Sequence, residues 1–184
     1  MKKTILVFSV AIFSFTAASA QKHCTRSANI NFFSDTPVEK IEAINHQATS
    51  VVDLEKSEMV FSVLMKSFEF EKALMQEHFN EKYVESGKYP KAQFKGSFSS
   101  DKPIDLSKDG EYKARVTGTM NMHGVDKEVA TTGVFTVKDG VLKGKSEFNL
   151  KLADYKIAVP GVVKEQIAEE VKITVDATYE PYKK

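Results

Sequence analysis

No disulfide staples this chain. Its one cysteine, Cys24, has no internal partner, so the fold must stand on its hydrophobic core. The residues before it, Gln21, Lys22 and His23, are not the small ones a lipidated cysteine needs. Cys24 is therefore expected as a free thiol in a mobile terminus, with pairing to a second chain as the minor option. An excess of charge is missing too: 26 Lys and Arg stand against 25 Asp and Glu. Basic residues do not cluster, and a nucleic-acid surface is excluded on that ground. Internal repeats, low-complexity tracts and convincing linkers are absent, and the length suits one domain over residues 21–184.

Catalytic signatures are equally scarce. "GKS" at Gly144 to Ser146 lacks the glycine a phosphate-binding loop requires five residues earlier, where Asp139 stands. Neither G-x-S-x-G nor H-E-x-x-H occurs. His78 and Glu81 could share a helix face, but one such pair offers too few ligands for a defined metal site. The chain reads as a non-enzyme without metal or cofactor.

Long apolar runs are confined to the start. Lys2 and Lys3 precede the apolar stretch Ile5 to Phe15, and small residues follow at Ala18 to Ala20. Charge, apolar run and small residues in that order describe a secretory signal over residues 1–20, too short and wrongly flanked to span a bilayer. The mature chain is expected in a bacterial periplasm, with release from the cell as the alternative. It contains no further run long enough to cross a membrane.

Alternation fills most of what remains. In "EYKARVTGTMNMH", Tyr112, Ala114, Val116, Gly118, Met120 and Met122 share one face and polar residues the other, the period of a half-buried strand. "VKITVDATY" and "SEFNLKL" repeat the pattern. Asp139-Gly140 is a hairpin signal, and His123-Gly124 suggests a second tight connection. "VDKEVATTGVFTV" and four upstream segments bring the strand count to eight. Eight antiparallel strands with short turns predict an all-β up-and-down barrel, either filled by side chains or holding one small ligand. A two-sheet sandwich is the rival. Gly96, Gly118 and Gly133 within strands favour the barrel, because strand glycines mark bends and close approaches. The inward candidates Phe61, Phe94, Met120, Met122, Phe135 and Phe148 serve either as core or as the wall of an apolar pocket.

One segment departs from alternation. "SFEFEKALMQEHF", Ser67 to Phe79, reads as a helix over Phe68 to Asn80, with a weaker one near Val162 to Glu170. On a helix starting near Glu69, Leu74 and His78 share a face adjoining that of Met75 and Phe79, while Lys72, Gln76 and Asn80 face water. That apolar face must be buried against a mouth or flank of the barrel. It either lids a tunnel, with Leu74, Met75 and Phe79 on the ligand, or packs on a solid barrel. His123, at a strand end, either bonds backbone at the turn or meets a ligand headgroup.

Three stretches, "FSVLMKSFEFEKALMQEHFNEKYVESGKYPKAQFKG", "DGEYKARVTGTMNMHGVDKEV" and "LADYKIAVP", together resemble the YceI-like family. The resemblance runs from about Ala28 to Tyr179 and includes F-x-F-x-K, K-Y-P-x-A-x-F-x-G and H-G-V in family order. It implies a lipocalin-like, eight-stranded antiparallel barrel with one or two short helices at its mouth. Its tunnel would hold a long-chain amphiphile, a polyisoprenoid or quinone tail, without enzyme activity or metal. It adds Phe68, Phe70 and Tyr155 to the ligand-binding candidates. Leu64 and Met65 stand where members often carry proline and isoleucine. Asp126, where members often have threonine, places a negative charge near an expected headgroup. The expectation is an exported carrier of such a lipid, with a homodimer as an open option. The alternative is a solid barrel acting as a protein–protein interaction domain in envelope stress response.

Overall fold

The computed structural model describes residues 22–183. The expected signal segment, residues 1–20, lies outside them. Alternation resolves into β1 (Lys22–Asp35), β2 (Lys40–Asp53), β3 (Glu58–Leu64), β4 (Phe68–Phe70), β5 (Lys91–Ser100), β6 (Gly110–Met122), β7 (Val125–Lys138), β8 (Val141–Lys151) and β9 (Glu170–Pro181). All pairings are antiparallel. The sheet runs β1-β9-β8-β7-β6-β5-β3-β2-β4, and a β1–β2 pairing closes it. β4 is not an extra stave. β3 and β4 both pair with β2, through Thr49↔Ser62 and Asn45↔Phe68, and only the tight turn Met65–Ser67 separates them. The wall is thus a closed eight-stranded antiparallel barrel, and the sandwich is excluded.

Turn chemistry sets two hairpins. His123 and Gly124 have φ of 52° and 71°, and Asp139 and Gly140 have 50° and 77°. Two successive left-handed residues make the turn whose twist matches a hairpin, and His, Asp and Gly tolerate that region better than most. The far end of the barrel, opposite the His123 turn, is packed solid. Val52, Phe98, Tyr112, Phe135, Val137 and Leu142 are all buried there, and the Phe98 and Phe135 rings lie 5.0 Å apart. Midway along the wall, Gly96 and Gly118 are opposite each other on β5 and β6. A Cβ on either would collide with the facing backbone, and the Phe94 ring covers both. These glycines let two strands approach so that an aromatic ring lies flat across them.

Four sequence expectations change. The helix is shorter and later: α1 (Ala73–His78) continues as a π-type turn, Phe79–Tyr83. Phe68 and Phe70 belong to strand β4, because the edge of β2 is free to pair with them. The weaker helix near Val162 to Glu170 is a single 3₁₀ turn, Gly161–Val163, and Glu170 already opens β9. Cys24 is not in a loose terminus. It lies in β1, half-buried, between Val51 and Glu180 of the neighbouring strands. Among the described residues no helix is long and apolar enough to cross a membrane.

Candidate functional site

Two apolar cavities occupy the half of the barrel that the far-end core leaves open. The central one, about 170 Å³, lies inside the barrel, lined by β3, β5, β6, β7, β8 and β9. The second, about 210 Å³, lies beneath α1 and the segment linking β8 to β9. One water needs only ~10–15 Å³, so neither is a packing defect. Met65, Phe68, Met122, Leu150 and Ile173 line both. The two chambers therefore share a wall along the barrel axis rather than standing apart.

Period two explains the central chamber. Phe61 on β3, Phe94 on β5, Met120 and Met122 on β6, Phe135 on β7 and Phe148 on β8 all reach it, as does Phe68. Ile173, Val175 and Tyr179 on β9 and Leu150 on β8 also line it. These last four were legible as inward members of their alternating runs. Val116, from the same run as Met120, lines it too, and Met65 lines it from the turn that interrupts the wall. Tyr179 lines the chamber, buried, with its hydroxyl 3.0 Å from that of Ser50. Burial pushes its phenol up to about 12, against a smaller opposing effect of the Ser50 bond.

The chamber under α1 is built on an aromatic cluster. Phe32, Phe68, Phe70 and Phe79 lie with ring centroids 5.1–5.7 Å apart. Phe70, Met75, His78 and Phe79 line the cavity. Leu74 does not: it is 61% exposed. The later helix start rotates the expected faces, so Leu74 points outward. Gln76 turns in instead, and its Oε1 accepts the Phe70 amide at 3.3 Å. Lys72 at the helix start donates to Glu39 at 2.9 Å, and that hydrogen bond holds the lysine ammonium above its usual pKa. Burial likewise raises the Tyr83 phenol beside the chamber. The segment between β8 and β9 adds Ile157, Val163 and Ile167. It is anchored where the Ala168 amide donates to Ser34 Oγ at 2.9 Å. Irregular loops carry no period, so although Ile157 falls in the quoted "LADYKIAVP" and Val163 and Ile167 in the expected weaker helix, no pattern marked them as cavity residues.

His123 and Tyr155 border the site without entering either cavity. The Nδ1 of His123 lies 2.9 Å from the Tyr155 carbonyl and its Nε2 2.8 Å from Glu85 Oε2. A carbonyl only accepts, so Nδ1 carries its hydrogen. The imidazole, edge-on to Tyr89 at 4.6 Å, ties the turn after β6 to the loop after α1 and to the turn after β8. The Tyr155 ring is buried, which raises its phenol, with a smaller contribution from Asp154. Asp126 is exposed and accepts from Asn121 Nδ2 at 2.6 Å. Its charge is spent on the outer face of the barrel.

A model of the YceI-like domain matches residues 18–179. No curated protein matches the chain. Among solved structures, a polyisoprenoid binding domain from Saccharophagus degradans implicated in plant cell wall breakdown superposes with a TM-score of 0.74 at 14% identity. That match covers 89% of this chain and 99% of the other. Burkholderia cenocepacia BcnA gives 0.68 at 14% identity over 83% and 96% of the two chains. The Campylobacter jejuni YCEI protein gives 0.55 at 17% identity over the whole of both. At such identities these likenesses establish the barrel fold.

Proposed function

This chain belongs to the YceI-like family, and from that premise we propose that it is an exported, non-enzymatic binding protein for a long-chain amphiphile. The cargo is of the polyisoprenoid or quinone-tail type, its tail lying along the two chambers. The observation that carries the reading is the pair of adjoining apolar cavities, which Met65, Phe68, Met122, Leu150 and Ile173 line in common. Burial supplies about 0.8 kcal/mol per CH₂, or about 4 kcal/mol gross for each five-carbon unit. Part of this is offset by the ordering of a flexible chain. Polar contacts to the tail are unnecessary. That the Saccharophagus relative is described as polyisoprenoid-binding supports the choice of cargo. Export rests on the order of charge, apolar run and small residues in 1–20, and the periplasm is the compartment we assign. A solid interaction module is disfavoured by the open interior.

The chain contains no tryptophan, so Phe61→Trp places a single reporter on the central cavity. Polyprenol delivered from phosphatidylcholine vesicles should shift its emission to the blue in a saturable way. An unchanged spectrum with polyprenol, a long-chain quinone and a fatty acid alike would reject the proposal.

A further inference from the structure

The barrel wall is not hydrogen-bonded all the way round. From their hairpin, β7 and β8 pair in register from Lys138↔Val141 to Gly133↔Ser146 and no further. Beyond that point each strand continues on its outer neighbour alone. β7 stays on β6 as far as Val125, and β8 stays on β9 as far as Lys151. A side chain takes over where the ladder stops, with Ser146 Oγ donating to the Thr132 carbonyl at 2.7 Å. The turn after β8 frames the other end. There the His123 ring meets the Tyr155 carbonyl at 2.9 Å, and Lys127 Nζ lies 3.9 Å from Asp154. Between these two closures the strands form a seam.

The seam opens on the central chamber. Val129 and Thr131 on one lip, and Ser146, Phe148 and Leu150 on the other, line that cavity. The outward neighbours Glu128, Thr132, Glu147 and Asn149 are exposed. The lips thus present Val129, Phe148 and Leu150 within, beside the hydroxyls of Thr131 and Ser146, and polar side chains without. Charged side chains along an unpaired edge also discourage strand addition by another chain.

We infer that the β7–β8 seam is a lateral portal through which the apolar tail of the cargo enters and leaves the central chamber. This rests on the proposed function. Entry at the far end would require unpacking Phe98, Tyr112, Phe135 and Leu142, which are buried. Entry at the helical end would require parting the stacked Phe32 and Phe79. Passage through the seam breaks no ladder hydrogen bond between β7 and β8. It also suits an amphiphile, whose tail passes between Val129 and Phe148 while its headgroup stays in water at the polar rim.

The test bridges the lips. Ala130 and Asn149 would face each other if the register at Gly133↔Ser146 were continued. In a Cys24→Ser background, Ala130→Cys and Asn149→Cys are joined by a disulfide or a short bis-maleimide. Uptake of an anthraniloyl-labelled prenol from vesicles is then timed, along with its release from preloaded protein. Bridging should slow both at least tenfold, and reduction of the disulfide should restore them. Equal rates in bridged and thiol forms overturn the portal. A thiol form that takes up no prenol removes the proposed function, and the portal falls with it. Amide exchange on the unaltered protein gives a second reading. In the empty protein residues 129–132 should exchange faster than residues 135–137, and equal protection means the wall is closed.

Discussion

Leu74 and Phe79 have the same character in the sequence and opposite situations in the fold. Phe79 stacks on Phe32 at 5.5 Å and lines the chamber under α1, whereas Leu74 is 61% exposed. Phe79→Ala should therefore cost about 3 kcal/mol, the range for deleting a well-packed ring. Leu74→Ala should stay within about 0.5 kcal/mol, as exposed sites do. Denaturant midpoints at constant m-value read both. Equal losses would mean the helix is rotated from the orientation described. Tyr179 makes a prediction about pH. Its folded phenol lies at about 12 against an ordinary value near 10. That stability is present below pH 10 and drains away as pH rises through 12, because the unfolded chain ionises first. Tyr179→Phe gives up the Ser50 bond, about 1 kcal/mol at neutral pH. It should then lose less melting temperature than the parent between pH 10 and 12, and parallel curves would contradict this.

At the scale of elements, the strands were legible and the helix only partly so. Alternation places inward residues wherever one face of a sheet is buried, which is why Met120, Met122, Phe135 and Phe148 all reach the central chamber. The two dipeptides His123-Gly124 and Asp139-Gly140 mark hairpins because their chemistry is local. Phe68 to Phe70 has no such local determinant. Helix and strand are close in propensity for three residues, and the open edge of β2 decides between them. The loop residues Ile157, Val163 and Ile167 reach their cavity only through tertiary anchors such as the Ser34–Ala168 bond. Sequence pattern does not encode such anchors. The glycine pair on β5 and β6 turns this into an experiment. Gly118→Ala pushes a Cβ into the backbone of β5 and should cost about 2 kcal/mol or more, as overpacking does. Gly87→Ala, with open space around it, should be near neutral in thermal unfolding. A tolerated Gly118→Ala would show that the strands can move apart there.

For the whole molecule, the deciding property is that the barrel is hollow on one side of its middle and solid on the other. Composition and pattern allow both a filled and an open interior, because the same inward Phe and Met residues serve either. Only the three-dimensional sum of their volumes separates the two. Here the far-end core is complete, yet two apolar chambers remain above it, with Met65, Phe68, Met122, Leu150 and Ile173 lining both. A long tail lying in these chambers would gain dispersion contacts along their apolar lining. Native mass spectrometry of the protein purified from its own host under mild conditions tests this most directly. The account predicts an adduct of one long-chain isoprenoid or quinone lipid per barrel, extractable into organic solvent and restored by adding prenyl lipid to the stripped protein. A clean apo mass, with no extractable lipid and no uptake of added prenyl lipid, would contradict it.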